Sequence, residues 1–324
     1  METNVRRIGI LTSGGDAPGM NAAIRAAVRN CIHHGITPIG IRRGYNGLIQ
    51  GDTFEMDARS VNNLSNRGGT ILYTARCKEF TTPEGVQQAV RTCKYAGIDG
   101  IIAIGGDGTF RGAGKLSEAG ISTVGVPATI DNDIGCSHYT IGFDTAANTA
   151  IECIDKLNDT MQSHERASVV EVMGRHAGHL AVYVGLAVGA TAILVPEFPV
   201  NLERDVIEKV REGRYRGKHH FLIIVAEGVG KCDEIAQQIE AATGIDARVS
   251  ILGHIQRGGS PTARDRTMAA RMGHTAVEEL VKGHTDLVVC YRDSHIVTIP
   301  IAEALRMVKP LDPYMYKVAY DVSI

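Results

Sequence analysis

Short apolar runs alternate with longer amphipathic stretches along most of this chain, and a glycine-rich or polar turn separates them each time. Arg7 to Thr12 reads as a strand, Ser13-Gly14-Gly15-Asp16-Ala17-Pro18-Gly19 as a turn, and Met20 to Cys31 as a helix. Ile101 to Ile104 is a second strand-like run, feeding Gly105-Gly106-Asp107-Gly108-Thr109 and a helical pattern through Arg111, Lys115 and Leu116. Ser122 to Val124 reads as a short strand that Pro127 should end, because proline cannot donate to a ladder. Ala167 to Met173 leads to Gly174 and a helix from about Ala177. Leu180 to Val195 divides into a buried helix, a turn at Gly189 and a strand from Ala192 to Val195. His220 to Ala226 precedes Glu227-Gly228-Val229-Gly230 and a helical Asp233 to Thr243. Arg248 to Leu252 precedes a loop, Gly253 to Pro261, and a helical Thr262 to Val281. Strands alternating with helices predict an α/β protein whose parallel sheet carries helices on both faces.

The loops after these strands hold the candidate chemistry. Thr129-Ile130-Asp131-Asn132-Asp133 puts two carboxylates two residues apart beyond the end of a strand. That is where open α/β sheets build their sites. One carboxylate can serve as a base while the other handles a cation; taken alone, the stretch also reads as an ordinary Asn/Asp turn. In Gly105 to Thr109 the glycines let the backbone approach a phosphate, and the following helix supplies N–H groups and a positive dipole end. A carboxylate inside such a turn repels phosphate unless a divalent cation lies between them, so Asp107 reads as a magnesium contact. The Ser13–Gly19 loop repeats the device. Neither loop has the Lys-Ser/Thr ending of a P-loop or the spacing of a dinucleotide fingerprint, and each also reads as a packing turn between strand and helix.

Bulk properties exclude several classes. The 324 residues suffice for two domains of ordinary size. Hydrophobic residues at 44%, charged residues at 22% and 37 glycines suit an α/β protein with many tight turns. A net charge of −2 without basic runs argues against a nucleic-acid partner. The seven cysteines are odd in number, scattered and free of C-x-x-C pairs, which predicts free thiols in a reducing cytoplasm. The histidines at 33/34, 176/179 and 219/220 lack the further ligands of a zinc site. The first residues show no secretory h-region. Leu180 to Val195 is the longest apolar stretch and is short for a membrane span. No tract of biased composition marks a domain boundary.

Taken together, the motifs resemble those of the bacterial-type ATP-dependent 6-phosphofructokinases. They are Thr-Ser-Gly-Gly-Asp-Ala-Pro-Gly-Met-Asn (12–21), Asn-Arg-Gly-Gly-Thr (66–70), Thr-Ala-Arg (74–76), Gly-Gly-Asp-Gly (105–108) and Thr-Ile-Asp-Asn-Asp (129–133). Thr-Ile-Gly-Phe-Asp-Thr-Ala (140–146), Glu-Val-Met-Gly-Arg (171–175) and Leu-Gly-His-Ile-Gln-Arg-Gly-Gly-Ser-Pro (252–261) follow in the family's order, across nearly the whole chain. The resemblance implies two doubly wound, Rossmann-like parallel-sheet domains with chain crossovers. A nucleotide-binding domain would cover 1–142 plus 256–309, and a sugar-phosphate domain 143–255 plus 310–324. It further implies a homotetramer whose sugar site is completed by a neighbouring subunit, with fructose 6-phosphate and ATP as substrates, Mg2+ as cofactor and the cytoplasm as location.

Residue by residue, the resemblance implies that Asp131 is the general base toward the 1-hydroxyl, that Thr129 positions the substrate beside it with Ile130, and that Asp107 meets magnesium. Asp133 either reaches the cation through water or orders its loop. Gly15 stands beside the terminal phosphate of ATP and Arg76 clamps a phosphate. Tyr45, Cys77, Gly106, Gly108, Thr109 and Gly112 surround the nucleotide. Arg166, Arg248, His254 and Arg257 cradle the 6-phosphate, the first two contributed by the adjacent subunit; Ile255 and Gln256 belong to the same stretch. Met173 and Gly174 line the sugar, Arg175 stabilises charge on the moving phosphoryl group, and Glu227 bonds a sugar hydroxyl. An effector site would use Arg25, Arg29, Arg216, Lys218, His219 and His220.

Departures from the pattern matter in two places. Pyrophosphate-using relatives carry an aspartate and a lysine where this chain has Gly108 and Ala128, so ATP is the expected donor, although Ala128 is slightly larger than the glycine common in ATP users. Ala58, Asn63, Asn158 and Thr191 replace an arginine, an aspartate, an arginine and a glutamate of a well-known member's effector site, so weak effector responses are expected. A non-catalytic paralogue would usually lack the base or the magnesium carboxylate, yet both are present. An NAD or lipid kinase would leave the 129–133 and 254–259 motifs without a purpose.

Overall fold

A computed structural model describes residues 5–323. Among them, the strands in chain order are β1 (Arg7–Ser13), β2 (Thr37–Ile41), β3 (Thr53–Glu55), β4 (Gly100–Gly105), β5 (Ser122–Pro127), β6 (Ala167–Val172), β7 (Ala192–Leu194), β8 (Phe221–Ala226), β9 (Ala247–Ile251), β10 (Leu287–Arg292) and β11 (His295–Pro300). The chain forms two compact units. The first takes the chain up to Ile130, Ile134–Thr145 and Arg257–Lys309; the second takes Asp131–Asp133, Ala146–Gln256 and the chain from Pro310 onward.

The first unit is built on a seven-stranded sheet of order β11-β10-β5-β4-β1-β2-β3. Its central strands are apolar without alternation, as in Ile101-Ile102-Ala103-Ile104, all 0% exposed. That is the signature of a parallel strand covered on both faces. The parallel centre of the sheet carries an antiparallel strand at each edge, which the pattern did not foretell: β10 pairs antiparallel with β11, and β2 with β3. Chain length is the reason. Only Asp293 and Ser294 join β10 to β11, with φ of +48° and +66°, and a two-residue turn of that twist returns the chain antiparallel. Between β2 and β3 lies one short helix, Tyr45–Gln50, too little chain for a crossover.

The second unit carries a four-stranded, all-parallel sheet of order β7-β8-β6-β9. Phe221, Ile223 and Val225 on β8 pack with Val206, Val210 and Ile239 from the neighbouring helical segments to form its core. The apolar stretch from Leu180 resolves into the helix His179–Ala187, a left-handed Gly189 and β7. The stretch Gly253–Pro261 is not wholly irregular, since Gly253–Arg257 winds into a 3-10 turn. No helix among the described residues is long and apolar enough to cross a membrane.

In the first unit, the helices Met20–His33 and Ala263–Val281 are tied side by side through Glu278. Its Oε1 accepts from Asn30 Nδ2 at 2.9 Å and lies 2.7 Å from His34 Nε2 and 3.7 Å from His274 Nε2. The Asn30 amide first, and the His34 ring second, hold the Glu278 carboxyl below its ordinary pKa. A depressed carboxyl contributes stability that is complete above its unfolded pKa and is lost as pH falls through the folded one. Glu278→Gln should therefore lower stability by about 0.2–1 kcal/mol near neutral pH, the range of a largely solvated pair. Denaturant titrations of both proteins should converge as the pH falls below the carboxylate range.

Candidate active site

The register of the first sheet lines up three loops. β1 and β4 pair so that Ser13 lies opposite Gly105, and β4 and β5 so that Gly105 lies opposite Pro127. The loops that begin at Ser13, Gly105 and Pro127 therefore leave one carboxyl edge of the sheet side by side. The chain's order reverses between β4 and β1, the switch point at which open α/β sheets bind ligands. One side-chain and one backbone hydrogen bond fasten the loops together. Thr109 Oγ1 donates to Ser13 O at 3.0 Å, and Ala128 N–H to Gly105 O at 3.0 Å.

A fourth segment, residues 66–77, is held against the same edge. Asn21 Nδ2 donates to the carbonyls of Arg67 and Gly68, both at 3.1 Å, while its Oδ1 accepts from Ile71 N–H at 2.9 Å. Thr12 Oγ1 donates to Tyr73 O at 2.8 Å, and Thr74 Oγ1 to Gly14 O at 2.8 Å. Arg76, two residues on, is exposed, and Cys77 is half-buried. No role was read for Thr12, Asn21 or Thr74 from the sequence. The signal available was their place inside the 12–21 and 74–76 motifs, with small polar side chains at buried or half-buried positions.

The expected nucleotide-side residues divide by what surrounds them. Tyr45 is 4% exposed. Its hydroxyl donates to Thr109 O at 2.5 Å, its ring stacks 4.1 Å from that of Phe80, and burial raises its pKa. A Cβ at Gly112 would meet the Tyr45 ring at 2.5 Å, so this glycine is imposed by packing. Gly106 and Gly108 differ: a Cβ on either would have no neighbour within 4 Å, and neither has a positive φ. Packing does not demand glycine at either position. Asp107 opens the helix Asp107–Glu118 between these two open positions. A hard oxygen donor beside free space suits magnesium, which keeps several waters and takes its other ligands from phosphates, and the helix N–H groups suit those phosphates. Among the described residues, no three His, Cys, Asp or Glu side chains gather into a metal cage.

Asp131 is 5% exposed and Asn132, next to it, adopts φ +51°. Asparagine tolerates that left-handed conformation better than most residues, which accounts for the middle residue of Asp-Asn-Asp. Arg257 falls in the first unit, where its Nη1 donates to Asp16 O at 2.9 Å and covers Gly15.

The second sheet repeats the alignment. Val172 lies opposite Ala226, and Glu171 opposite Ile251, so Met173–Arg175, Glu227 and Leu252–Gln256 leave neighbouring strand ends. Glu227 Oε2 accepts from the N–H groups of Gly174 at 3.3 Å and Arg175 at 2.8 Å. These bonds hold Gly174 at φ +147° and Arg175 at φ +60°, costly for a side chain with a Cβ. Gln256, fully buried, accepts from Met173 N–H at 3.3 Å and donates to Gly253 O at 3.0 Å. His254, Ile255 and the Arg175 side chain are exposed.

Arg166 and Arg248 are not brought to this edge. They share Asp246, at 2.6 Å and 3.1 Å, beside Ala167 and Ala247, where β6 and β9 begin. The length of β6 separates them from Met173–Arg175, roughly 16 Å for a strand of that span.

A family model described as Phosphofructokinase matches residues 7–280. The chain belongs to the phosphofructokinase family. It is 52% identical over 319 residues to the ATP-dependent 6-phosphofructokinase 1 of Clostridium perfringens (strain 13 / Type A), covering 98% of this chain and 100% of that protein. Its fold resembles phosphofructokinase from Saccharomyces cerevisiae, with TM-score 0.86 and 33% identity over 93% of this chain; it spans only 45% of the yeast chain. A pyrophosphate-dependent phosphofructokinase from Marinobacter aquaeolei shares the fold with TM-score 0.86 at 22% identity, over 99% of this chain and 92% of that one.

The residues expected at an effector site lie in both units of this family member. Arg25, half-buried, lines a cavity of about 430 Å³ with Asn62, Asn63, Ser65, Asn66 and Arg266. Arg29, on the same helix, is exposed. Arg216 and Lys218 line another of about 400 Å³ with Thr191, Lys209, Glu212 and Tyr320. His219 faces Glu165 at 3.7 Å, and His220 has its pKa lowered by burial and by Lys218.

The contrast between the two glycines of the Asp107–Glu118 helix is open to measurement. Gly112→Ala, forced onto the Tyr45 ring, should destabilise the protein by about 1–3 kcal/mol. Gly108→Ala should be neutral or stabilising, because alanine favours a helix over glycine by up to about 1 kcal/mol. Chemical denaturation of both variants tests this.

Proposed function

We infer that this chain is an ATP-dependent 6-phosphofructokinase, transferring the γ-phosphoryl group of ATP to the 1-hydroxyl of fructose 6-phosphate to give fructose 1,6-bisphosphate and ADP. The observation that supports this reading is the in-register row of Ser13, Gly105 and Pro127, from which two glycine turns and the stretch leading to Thr129 leave one sheet edge. Phosphoryl transfer leaves little covalent work to a protein; positioning and charge stabilisation do most of it.

On the donor side, the Ser13–Gly19 and Gly105–Thr109 turns present backbone N–H groups to the phosphates and Arg76 adds a cation. Asp107 would hold magnesium, which when bound would supply charge neutralisation to the phosphates of the nucleotide. The bare Gly108 leaves room for the rest of the nucleotide, which pyrophosphate lacks. On the acceptor side, Asp131 takes the proton from the sugar 1-hydroxyl, work worth about 10²–10⁴-fold, and Arg175 offsets charge on the moving group. Thr129, Ile130, Met173 and Gly174 line the sugar, and Glu227 both holds the 174–175 turn and offers an oxygen to a hydroxyl. His254 and Arg257 receive the 6-phosphate. The enzyme is a cytoplasmic one of glycolysis.

Arg166 and Arg248 complete the 6-phosphate cradle from a neighbouring subunit of a homotetramer. Their place at the opposite end of β6 and β9 from Met173–Arg175 supports this, since one copy cannot present both strand ends to the same sugar phosphate.

Two measurements test the assignment. Asp131→Ser should lower kcat at least about a hundredfold with little change in sugar-phosphate binding, because the lost interaction acts in the transition state. Arg248→Ala should impair binding instead, and refolding the two variants together should restore activity through hybrid sites. Near-full turnover of Asp131→Ser would remove Asp131 as the base, and no recovery in the mixture would count against a shared site.

Donor choice is tested by offering magnesium with ATP or with pyrophosphate. ATP should support far faster turnover, and Gly108→Asp should damage ATP use while the variant remains folded. Faster wild-type turnover with pyrophosphate would overturn the donor assignment.

A further inference from the structure

Asp265 has no part in the chemistry above, and its side chain is completely buried. Its carboxylate nevertheless gathers four donors from one short segment. Oδ1 accepts from Tyr139 Oη at 2.5 Å and Gly142 N–H at 2.7 Å; Oδ2 accepts from Thr145 N–H at 2.8 Å and from the Thr145 hydroxyl. Burial raises the pKa of this carboxyl and the four donors oppose that rise, Thr145 and Tyr139 foremost. A buried carboxylate is expensive unless such bonds satisfy it, so segment 139–145 and Asp265 hold each other in one geometry. Asp265 itself is anchored in the first turn of the helix Ala263–Val281, where its N–H donates to the N-cap Thr262 Oγ1 at 3.3 Å.

The segment so held touches two of the working loops. Thr140 Oγ1 donates to Thr129 O at 2.7 Å, Ile141 N–H donates to Pro127 O at 3.0 Å, and Ala128 bridges Ile141 in parallel. Residues 127–129 are thus stitched to Gly105 on one side and to Thr140–Ile141 on the other. On its other flank the segment abuts the first glycine loop, where a Cβ at Gly142 would fall 2.6 Å from Ala17 Cβ.

We propose that Asp265, acting through Thr140, is a positioning residue for phosphoryl transfer, fixing residues 127–129, the stretch that leads into Asp131, relative to the Ala17–Gly19 loop. The proposal rests on Asp131 being the base. Neither Asp265 nor Thr140 meets substrate in this scheme, so their loss should act on kcat through misplacement of the base. A displacement of about 1 Å can cost around a hundredfold in rate.

The test uses the full-length enzyme with ATP, magnesium and fructose 6-phosphate. Thr140→Val keeps the side chain's shape and removes the hydrogen bond to Thr129 O, whereas Thr140→Ser keeps the hydroxyl. We expect Thr140→Val to lose about tenfold or more in kcat with both KM values within about twofold, and Thr140→Ser to recover most of that loss. Asp265→Asn, which turns a donor toward existing donors, should show the same kcat-only loss at temperatures below its Tm. If Asp265→Asn does not fold, the Thr140 pair decides alone. A Thr140→Val enzyme with wild-type kcat, a change confined to KM, or failure of Thr140→Ser to rescue would each overturn the proposal. Inactive wild-type protein would instead indict the functional assignment.

Discussion

The parallel hydrogen-bond ladder joining β1, β4 and β5 is the constraint on which the donor side depends. Parallel strands point their carboxyl ends the same way, and the register sets Ser13, Gly105 and Pro127 in line. Loops that are far apart in sequence become neighbours without any long-range side-chain design. Thr109 and Ala128 then bond across the gaps between them. A slip of one residue would turn every strand side chain to the other face of a sheet buried on both, so the same burial that stabilises the unit also fixes the loop geometry.

The second unit applies the same rule to β6, β8 and β9, and there the rule also separates residues. Met173, Glu227 and Gln256 leave carboxyl ends, while Arg166 and Arg248 sit at the amino ends around Asp246. A strand is rigid along its length, so residues at its two ends cannot serve one small ligand within one copy. The proposal that a neighbouring subunit supplies Arg166 and Arg248 rests on this separation.

Local strain and local support coincide at the loops. Arg175 holds a left-handed backbone conformation with its N–H, like that of Gly174, bonded to Glu227, and Asn132 holds one beside a buried Asp131. Tyr45 and Gly112, expected around a nucleotide, are packed against each other, so they shape the floor of the Gly105–Thr109 turn rather than projecting freely from it. The buried Asp265 carboxylate binds the segment whose Thr140 in turn bonds Thr129 O.

Strand, turn and helix around Ser13–Gly19 and Gly105–Thr109 were legible in the sequence because burial on both faces leaves long apolar runs and the turns need glycine. The carboxylates at 107, 131 and 133 stood out for the same local reason: charge among apolar strands and glycine turns is conspicuous. The antiparallel edges β2–β3 and β10–β11 were not legible, since strand direction depends on how much chain is available to return and on which edge is free. Nor did pattern distinguish Gly108, which has open space, from Gly112, which has the Tyr45 ring against it. By itself the sequence determined the α/β class, the glycine-rich loops between strand and helix and the residue types within them, because these follow from periodicity and local backbone demands. Which strand ends lie together, that Arg166 and Arg248 lie apart from Met173–Arg175, and that Asp265 bonds to residues over a hundred positions away were decided only by the tertiary structure, because hydrogen-bond register and packing between distant segments leave no trace in local spacing.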